Sequence, residues 1–279
     1  MKSRLNRSCL TAGVLIALST AAQAADVTPS FKAPAAPTFS WTGCYFGGNA
    51  GGAFGRATYE DIQPNTSGFG LPQPLGAFDP NAVPAIVTGM TNTVSGAGFT
   101  GGGQFGCAYQ AWSNFVFAWE SDLAYTGLHG SFSESSVTAT GAGFTSTQTF
   151  GNRALNTNRI RLGFVSGSWM FYITGGFAFA DVNLTDQFIF TSRGGIAQGI
   201  PLTGVDTAAW AMGWTAGAGA EWMFDRNWSF KVEYLYADVG TISYIAQGNV
   251  PAASLAFIDV SHRLSENLAR VGINYHFYY

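Results

Sequence analysis

The chain has 279 residues, room for one or two domains, yet only 10% of them are charged, against roughly 25% in soluble globular chains. Aromatic residues at 15% and 36 glycines complete a composition ill suited to a dispersed soluble protein. A formal charge of −3 with no basic stripe argues against a nucleic-acid partner, and no run of about 18 apolar residues exists to make a transmembrane helix.

The N-terminus sets the compartment. Lys2, Arg4 and Arg7 form a basic head, Cys9 to Ala22 an apolar stretch, and Ala22-Gln23-Ala24 puts small residues at −3 and −1. This predicts a signal peptide over 1–24, cleaved before Ala25. Cys9 lacks a lipoprotein-type cleavage context and leaves with the signal, so Cys44 and Cys107 remain in an oxidising compartment. Residues 25–40 hold Pro29, Pro34 and Pro37 without periodicity and predict an extended periplasmic linker.

From residue 41 to 279 the chain reads as strands, each about one membrane thick. They are Thr42–Phe54, Gly98–Gln110, Phe115–Leu128, Asn156–Val165, Trp169–Val182, Ala208–Phe224, Trp228–Gly240 and Asn267–Tyr279. Three connections are tight and rich in turn formers: Ala111-Trp112-Ser113-Asn114, Ser166-Gly167-Ser168 and Asp225-Arg226-Asn227. Four are long and polar, about 55–97, 129–155, 183–207 and 241–266. Short and long links alternate strictly, as periplasmic turns and extracellular loops do. The expected fold is all-β: an eight-stranded antiparallel transmembrane β-barrel with short periplasmic turns and long extracellular loops. An even strand number places both ends on the periplasmic side.

Period-two alternation separates a lipid face from a lumen face. In the third strand Phe115, Phe117, Trp119, Leu123 and Tyr125 oppose Glu120 and Asp122. In the fourth, Ile160, Leu162 and Phe164 oppose Arg159 and Arg161. The sixth sets Trp210, Met212, Trp214, Trp222 and Phe224 against Glu221. The seventh sets Trp228, Phe230, Val232, Tyr234 and Tyr236 against Lys231 and Glu233. The closing strand alternates without a break, with Ala269, Val271, Ile273, Tyr275, Phe277 and Tyr279 on one face and Arg270, Asn274 and His276 on the other. The first two strands are glycine-rich, and Tyr45, Gly47 and Asn49 are assigned inward. Aromatic residues also sort by height. Trp41, Tyr109, Trp112, Trp169, Trp222 and Trp228 lie beside the tight turns, and Phe54, Phe99, Tyr125, Trp210 and Tyr236 near the long loops. Two such girdles are what a bilayer selects.

Several motifs carry a family resemblance. They are Trp41-Thr42-Gly43 with Gly47-Gly48-Asn49, Gly101-Gly102-Gly103-Gln104, Asn158-Arg159-Ile160-Arg161-Leu162-Gly163 and Tyr172-Ile173-Thr174-Gly175-Gly176. The most specific are Lys231-Val232-Glu233-Tyr234-Leu235-Tyr236-Ala237-Asp238 and the closing strand. With these the chain resembles the OmpA-like small-barrel superfamily, and within it the outer-membrane immunogenic proteins of alpha-proteobacteria. The resemblance implies an eight-stranded barrel in the Gram-negative outer membrane, exposed as a surface antigen and bathed by outer-membrane lipid. It also implies that Tyr275, Phe277 and Tyr279 form the signal read by the barrel-assembly machinery. The ending Phe277-Tyr278-Tyr279 departs from the usual single terminal Phe. Relatives are variously described as porin-like, structural or haemin-binding, so the resemblance leaves activity open.

The inward charges are the strongest candidate site: Glu120, Asp122, Glu221 and Glu233 against Arg159, Arg161, Lys231 and Arg270. Eight strands leave an interior that side chains can fill, which favours a self-neutralising polar core over a charge-lined pore. No catalytic residue, metal ligand or cofactor is assigned. His129 and His262 are expected as solvated residues at the extracellular mouth and His276 in the lumen, with no serine or carboxylate at a diagnostic spacing. Cys44 shares a face with Phe46, and Cys107 with Phe105 and Tyr109, on sequential strands. A disulfide needs near-opposite pairing. Barrel shear could instead leave two unpaired thiols facing lipid. Two functions follow. One is a sealed structural barrel whose long loops meet host or surface ligands. The other is a narrow porin-like channel or a haemin-type ligand binder.

Overall fold

The computed structural model describes residues 40–64, 92–137, 143–191, 200–203, 207–247 and 257–277. The signal peptide, all but the last residue of the linker, and Tyr279 lie outside the described residues.

Among the described residues nine strands follow in order: β1 (Gly43–Pro64), β2 (Thr93–Ala111), β3 (Phe115–Val137), β4 (Gly143–Ser166), β5 (Trp169–Thr191), β6 (Ile200–Thr203), β7 (Thr207–Met223), β8 (Trp228–Gln247) and β9 (Phe257–Phe277). Eight of them pair antiparallel around a closed ring, β1-β2-β3-β4-β5-β7-β8-β9, and β9 returns to β1. Closure removes the unpaired edge that hydrocarbon does not tolerate. The four-residue β6 pairs with β5 at Gln187–Phe190, beyond the point where β7 begins opposite Leu184. The three tight turns sit where the sequence places them. Gly167 supplies a left-handed φ of 63° in the second, while Trp112 adopts φ 55° in the first.

The strands run farther than the alternation of bulky residues suggested. Much of the expected loops 129–155, 183–207 and 241–266 is strand, as is part of 55–97. Alternation continues there, but its polarity inverts. Ser131, Ser133, Thr147 and Asn183 face outward, while Leu128, Phe150, Val182 and Leu184 are buried inside. A serine- and threonine-rich stretch reads as loop when lipid-facing aromatics are the guide. Register shifts occur in four of the strand pairings, and two of them break the count of two in a single strand. The β4–β5 register skips Arg153, and the β8–β9 register shifts between Asp238 and Thr241, where Gly240 takes φ 82°. Each bulge exchanges odd and even residues between faces, so Arg159 and Arg161 below and Asn152 and Phe150 above all point inward.

In the membrane belt the outer face is apolar, with Phe117, Trp119, Leu162, Ile173, Val271 and Ile273 exposed. Exposed aromatics mark the edges of the belt: Trp112, Trp169 and Trp222 at the turn side, Phe54, Phe99 and Trp210 at the other. Trp41 is not among them. It is 1% exposed, because in β1 the odd residues point inward, and Trp41 keeps the phase of Tyr45.

Candidate functional site: a layered lumen

The lumen is filled in layers. At the periplasmic end Trp41, Val116, Val165, Met170 and Met223 form an apolar floor. Trp41 meets His276 edge-on, with ring centroids 5.9 Å apart.

Above the floor the ladder brings together the eight charged residues singled out by sequence, all buried. Glu120 stands opposite Arg159 across β3–β4, and Glu221 opposite Lys231 across β7–β8. Glu120 accepts hydrogen bonds from Arg159 Nη2, Arg161 Nη1 (3.0 Å), Lys231 Nζ (3.0 Å) and the Tyr45 hydroxyl (2.7 Å). Glu233 accepts from Arg159 Nη1 (2.8 Å) and Arg270 Nη2 (2.6 Å), and Asp122 from Arg270 Nη1 (2.8 Å). Glu221 accepts from Arg161 Nη2 at 2.6 Å. Every acid therefore shares an arginine with another acid, and the eight groups form one connected net. Such a net offsets the desolvation that makes isolated buried charges so costly.

Neutral side chains complete it. Asn49 donates to Asp122 (2.6 Å) and Gln104 (2.8 Å), Gln104 to Asn274 (2.6 Å), and Asn274 and Ser229 to Glu221 (2.7 and 2.6 Å). Tyr172 donates to Glu233 at 3.1 Å and offers its ring face to Arg161, 3.8 Å from guanidinium carbon to ring centroid. Tyr45 and Tyr172 fit because Gly106 and Gly219 stand opposite them. A Cβ at either glycine would come within 2.5 Å of the tyrosine ring. Gln104, Tyr172 and Ser229 were not assigned from sequence, although each keeps the inward phase of its strand. The Nε atoms of Arg159, Arg161 and Arg270 remain without a hydrogen-bond partner.

Over the net lies a second apolar layer, built from Leu128, Phe150, Leu155, Leu235, Leu264 and Leu268 with small residues between them. Glu266 is buried at this level and accepts from Asn152 at 2.6 Å. Higher still, Tyr59 donates across the barrel to Asp186 (3.0 Å). His262 lies 3.1 Å from Asp186, stacked 5.3 Å from Tyr244 and edge-on to Tyr59. The expectation of a solvated loop histidine is thus corrected for His262, which is a buried strand residue with 0% exposure. The polar pattern around it conceals its inward phase. His129 is exposed on β3, and His276 lies in the lumen 2.8 Å from Ser229. Among the described residues no cluster of three or more His, Cys, Asp or Glu side chains is placed to hold a metal ion.

On the lipid face Cys44 is directly opposite Cys107 in the β1–β2 ladder, and their sulfurs are joined at 2.05 Å. Phe277 and Tyr275 face outward at the foot of β9, where Phe46 stacks on Phe277.

The chain is 32% identical over 282 residues to the 31 kDa outer-membrane immunogenic protein of Brucella melitensis, covering 97% of this chain and all of that protein. The chain belongs to the outer-membrane immunogenic protein family. The protein of the same description from Brucella suis matches equally, with the same identity and coverage. No family model matches the chain. Among solved structures it is similar to the outer-membrane protein OprG of Pseudomonas aeruginosa, at 13% identity and a TM-score of 0.40 over 86% of this chain and 99% of that one. Membership places this immunogenic-protein barrel in the Gram-negative outer membrane.

Proposed function

We propose that the protein is a structural and interaction component of the cell surface, without enzymatic activity. Its barrel acts as a sealed wall, and its extracellular strands and loops meet host or surface ligands. One observation carries this: apolar layers lie above and below the charged net, and within it every acid is held by the arginines and lysine around it. A porin would need a lumen that water fills, whereas here each acid is taken up by the arginines and lysine around it. The immunogenicity named for the Brucella relatives fits exposure of this kind. Contacts with the barrel-assembly machinery through Tyr275, Phe277 and Tyr279 belong to the same proposal.

The test is planar-bilayer conductance of the refolded protein. A sealed wall predicts rare, brief openings at most. Stable ion-selective channels at low voltage would overturn this in favour of the porin-like alternative.

A further inference from the structure

Outside the lumen, basic residues are scarce, and their placement is uneven. Four described arginines face outward or lie in turns: Arg56, Arg153, Arg226 and Arg263. Arg226 belongs to a periplasmic turn, and the other three lie just above the outer aromatic girdle. Arg153 is joined to Asp181 at 3.2 Å. Arg56 and Arg263 differ in being neighbours. Arg56 is opposite Ser265 in the β1–β9 ladder, and Arg263 is opposite Thr58, two positions on along the same face. Diagonal pairs of this kind lie about 7–8 Å apart. Asp238 offsets the charge of Arg263 in part, and an anion lying between the two cations would offset that of Arg56 as well.

Their surroundings suit such an anion. Ser95 stands opposite Arg56 from the other side, and Thr58 and Thr93 pair their hydroxyls at 3.5 Å beside it. Asp238 holds Arg263 through Nε and Nη2, at 3.2 and 2.7 Å, which fixes that guanidinium against β8. Arg56 makes no ion pair among the described residues. Phe54, two residues below Arg56 on the same face, sets the height at the level of the outer-leaflet headgroups.

The wall beneath the arginines carries a strip of small residues. Gly48, Ala50 and Gly52 of β1 face Gly103, Gly101 and Phe99 of β2 on one side and Ile273, Val271 and Ala269 of β9 on the other. Packing within the barrel does not demand glycine at two of these. A Cβ on Gly48 or Gly103 would find its nearest neighbour 3.7 or 3.8 Å away. The inward glycines of the same strands, such as Gly51 and Gly102, have backbone atoms in that space instead. The strip continues into a groove of about 630 Å³ that runs past Ala50, Ala269 and Val271 to Val232 and Ala218.

We propose that this face binds a phosphorylated, multiply acylated glycolipid of the lipid A type from the outer leaflet. Arg56 and Arg263 bracket a phosphate, the serine and threonine hydroxyls meet the sugar, and acyl chains lie along the glycine-alanine wall. Arg56 lies six positions beyond Ala50, about 20 Å along a strand, a depth that an acyl chain spans. The site requires the outer-membrane placement of the barrel and is independent of whether its lumen conducts.

The experiment titrates the refolded protein, in neutral detergent, with diphosphoryl lipid A and follows the bound lipid by native mass spectrometry. Parallel arms use dephosphorylated lipid A, phosphatidylcholine and inorganic phosphate. Lipid A should bind best, and neither phosphatidylcholine nor free phosphate should displace it. Arg56→Gln/Arg263→Gln should weaken binding about tenfold or more, given what two basic residues contribute at an anionic lipid surface. Arg56→Gln alone should give part of that loss, and Arg153→Gln should bind as the unmodified protein does. Gly48→Leu/Gly103→Leu, at outward positions where a Cβ meets nothing nearer than 3.7 Å, should weaken lipid A but leave inorganic phosphate unaffected. Heat-modifiable gel migration verifies folding of each variant. Equal binding by the double arginine variant, an equal loss in Arg153→Gln, or phosphatidylcholine binding as tight as lipid A would each overturn the proposal.

Discussion

Glu120 and Arg159 face each other directly across the β3–β4 ladder, both fully buried, and neither is satisfied by the other alone. Glu120 also takes Arg161 and Lys231, while Arg159 reaches on to Glu233. Removing one member therefore strands several partners.

Arg159→Met illustrates the consequence. It leaves Glu120 and Glu233 each short of a cation in an interior with little water, and breaking a buried pair in this way costs ~3–5 kcal/mol. Urea unfolding of the refolded barrel should show a lower midpoint with an unchanged slope. The double variant Arg159→Met/Glu120→Gln should recover part of the loss, since one of the two acids left short of a cation is then neutral. A double variant whose cost equals the sum of the two single ones would mean that the residues do not act as a pair.

The inversion of polarity along each strand makes a second prediction about where the bilayer ends. Val271, opposite Ala50 and Val232, lies in the middle of the apolar belt, while Thr147 faces outward above it. Val271→Arg should destabilise by ~2–4 kcal/mol and Thr147→Arg by at most ~1 kcal/mol. Folding titrations in lipid vesicles give both values. Equal costs would place the hydroxyl-bearing upper strands inside the membrane.

The upper apolar layer should act as the main barrier above the charged net. Leu128 and Phe150 come from neighbouring strands and meet in it. Leu128→Ala/Phe150→Ala removes much of the side-chain volume there, and large-to-small changes in cores leave cavities that cost roughly 2–5 kcal/mol each. Small-ion leakage across planar bilayers should rise relative to the unmodified barrel. Leakage that stays at the unmodified level in the folded variant would assign the barrier to the charged net and the floor.

How much of this could be read from the residues varies with depth in the membrane. In the belt, one face meets lipid and the other meets charge, so alternation in Leu268–Phe277 or Phe115–Tyr125 separates bulky from ionisable residues plainly. Above the belt, water outside and apolar packing inside reverse the contrast, and small residues such as Ala178 and Ala180 line the lumen. His262, Asp186 and Tyr59 were invisible as a group because they come from three strands and meet only when the ring closes. The bulge at Arg153 and the turn of Gly240 then shift the count by one, and no local signal announces the shift. Trp41 erred differently, because its place beside a turn suggested the girdle while its phase with Tyr45 pointed into the lumen. Gln104 and Tyr172 had the right phase but no charge to draw attention to them.

The last prediction concerns Cys44 and Cys107. They are directly opposite in the β1–β2 ladder on the lipid face, flanked by Phe46 and Phe105, with their sulfurs joined. The loop between β1 and β2 is long, with 63 positions separating the two cysteines. Closing a loop of that length in the unfolded chain is worth roughly 4 kcal/mol in the chain-entropy picture. Protein isolated without reductant and then unfolded should bind no alkylating reagent at these positions until reductant is added. Reduction, or Cys44→Ala/Cys107→Ala, should lower the unfolding midpoint while leaving the β-type circular dichroism of the folded barrel unchanged. Two alkylated thiols per mature chain before reduction would show that the pair faces lipid unbonded.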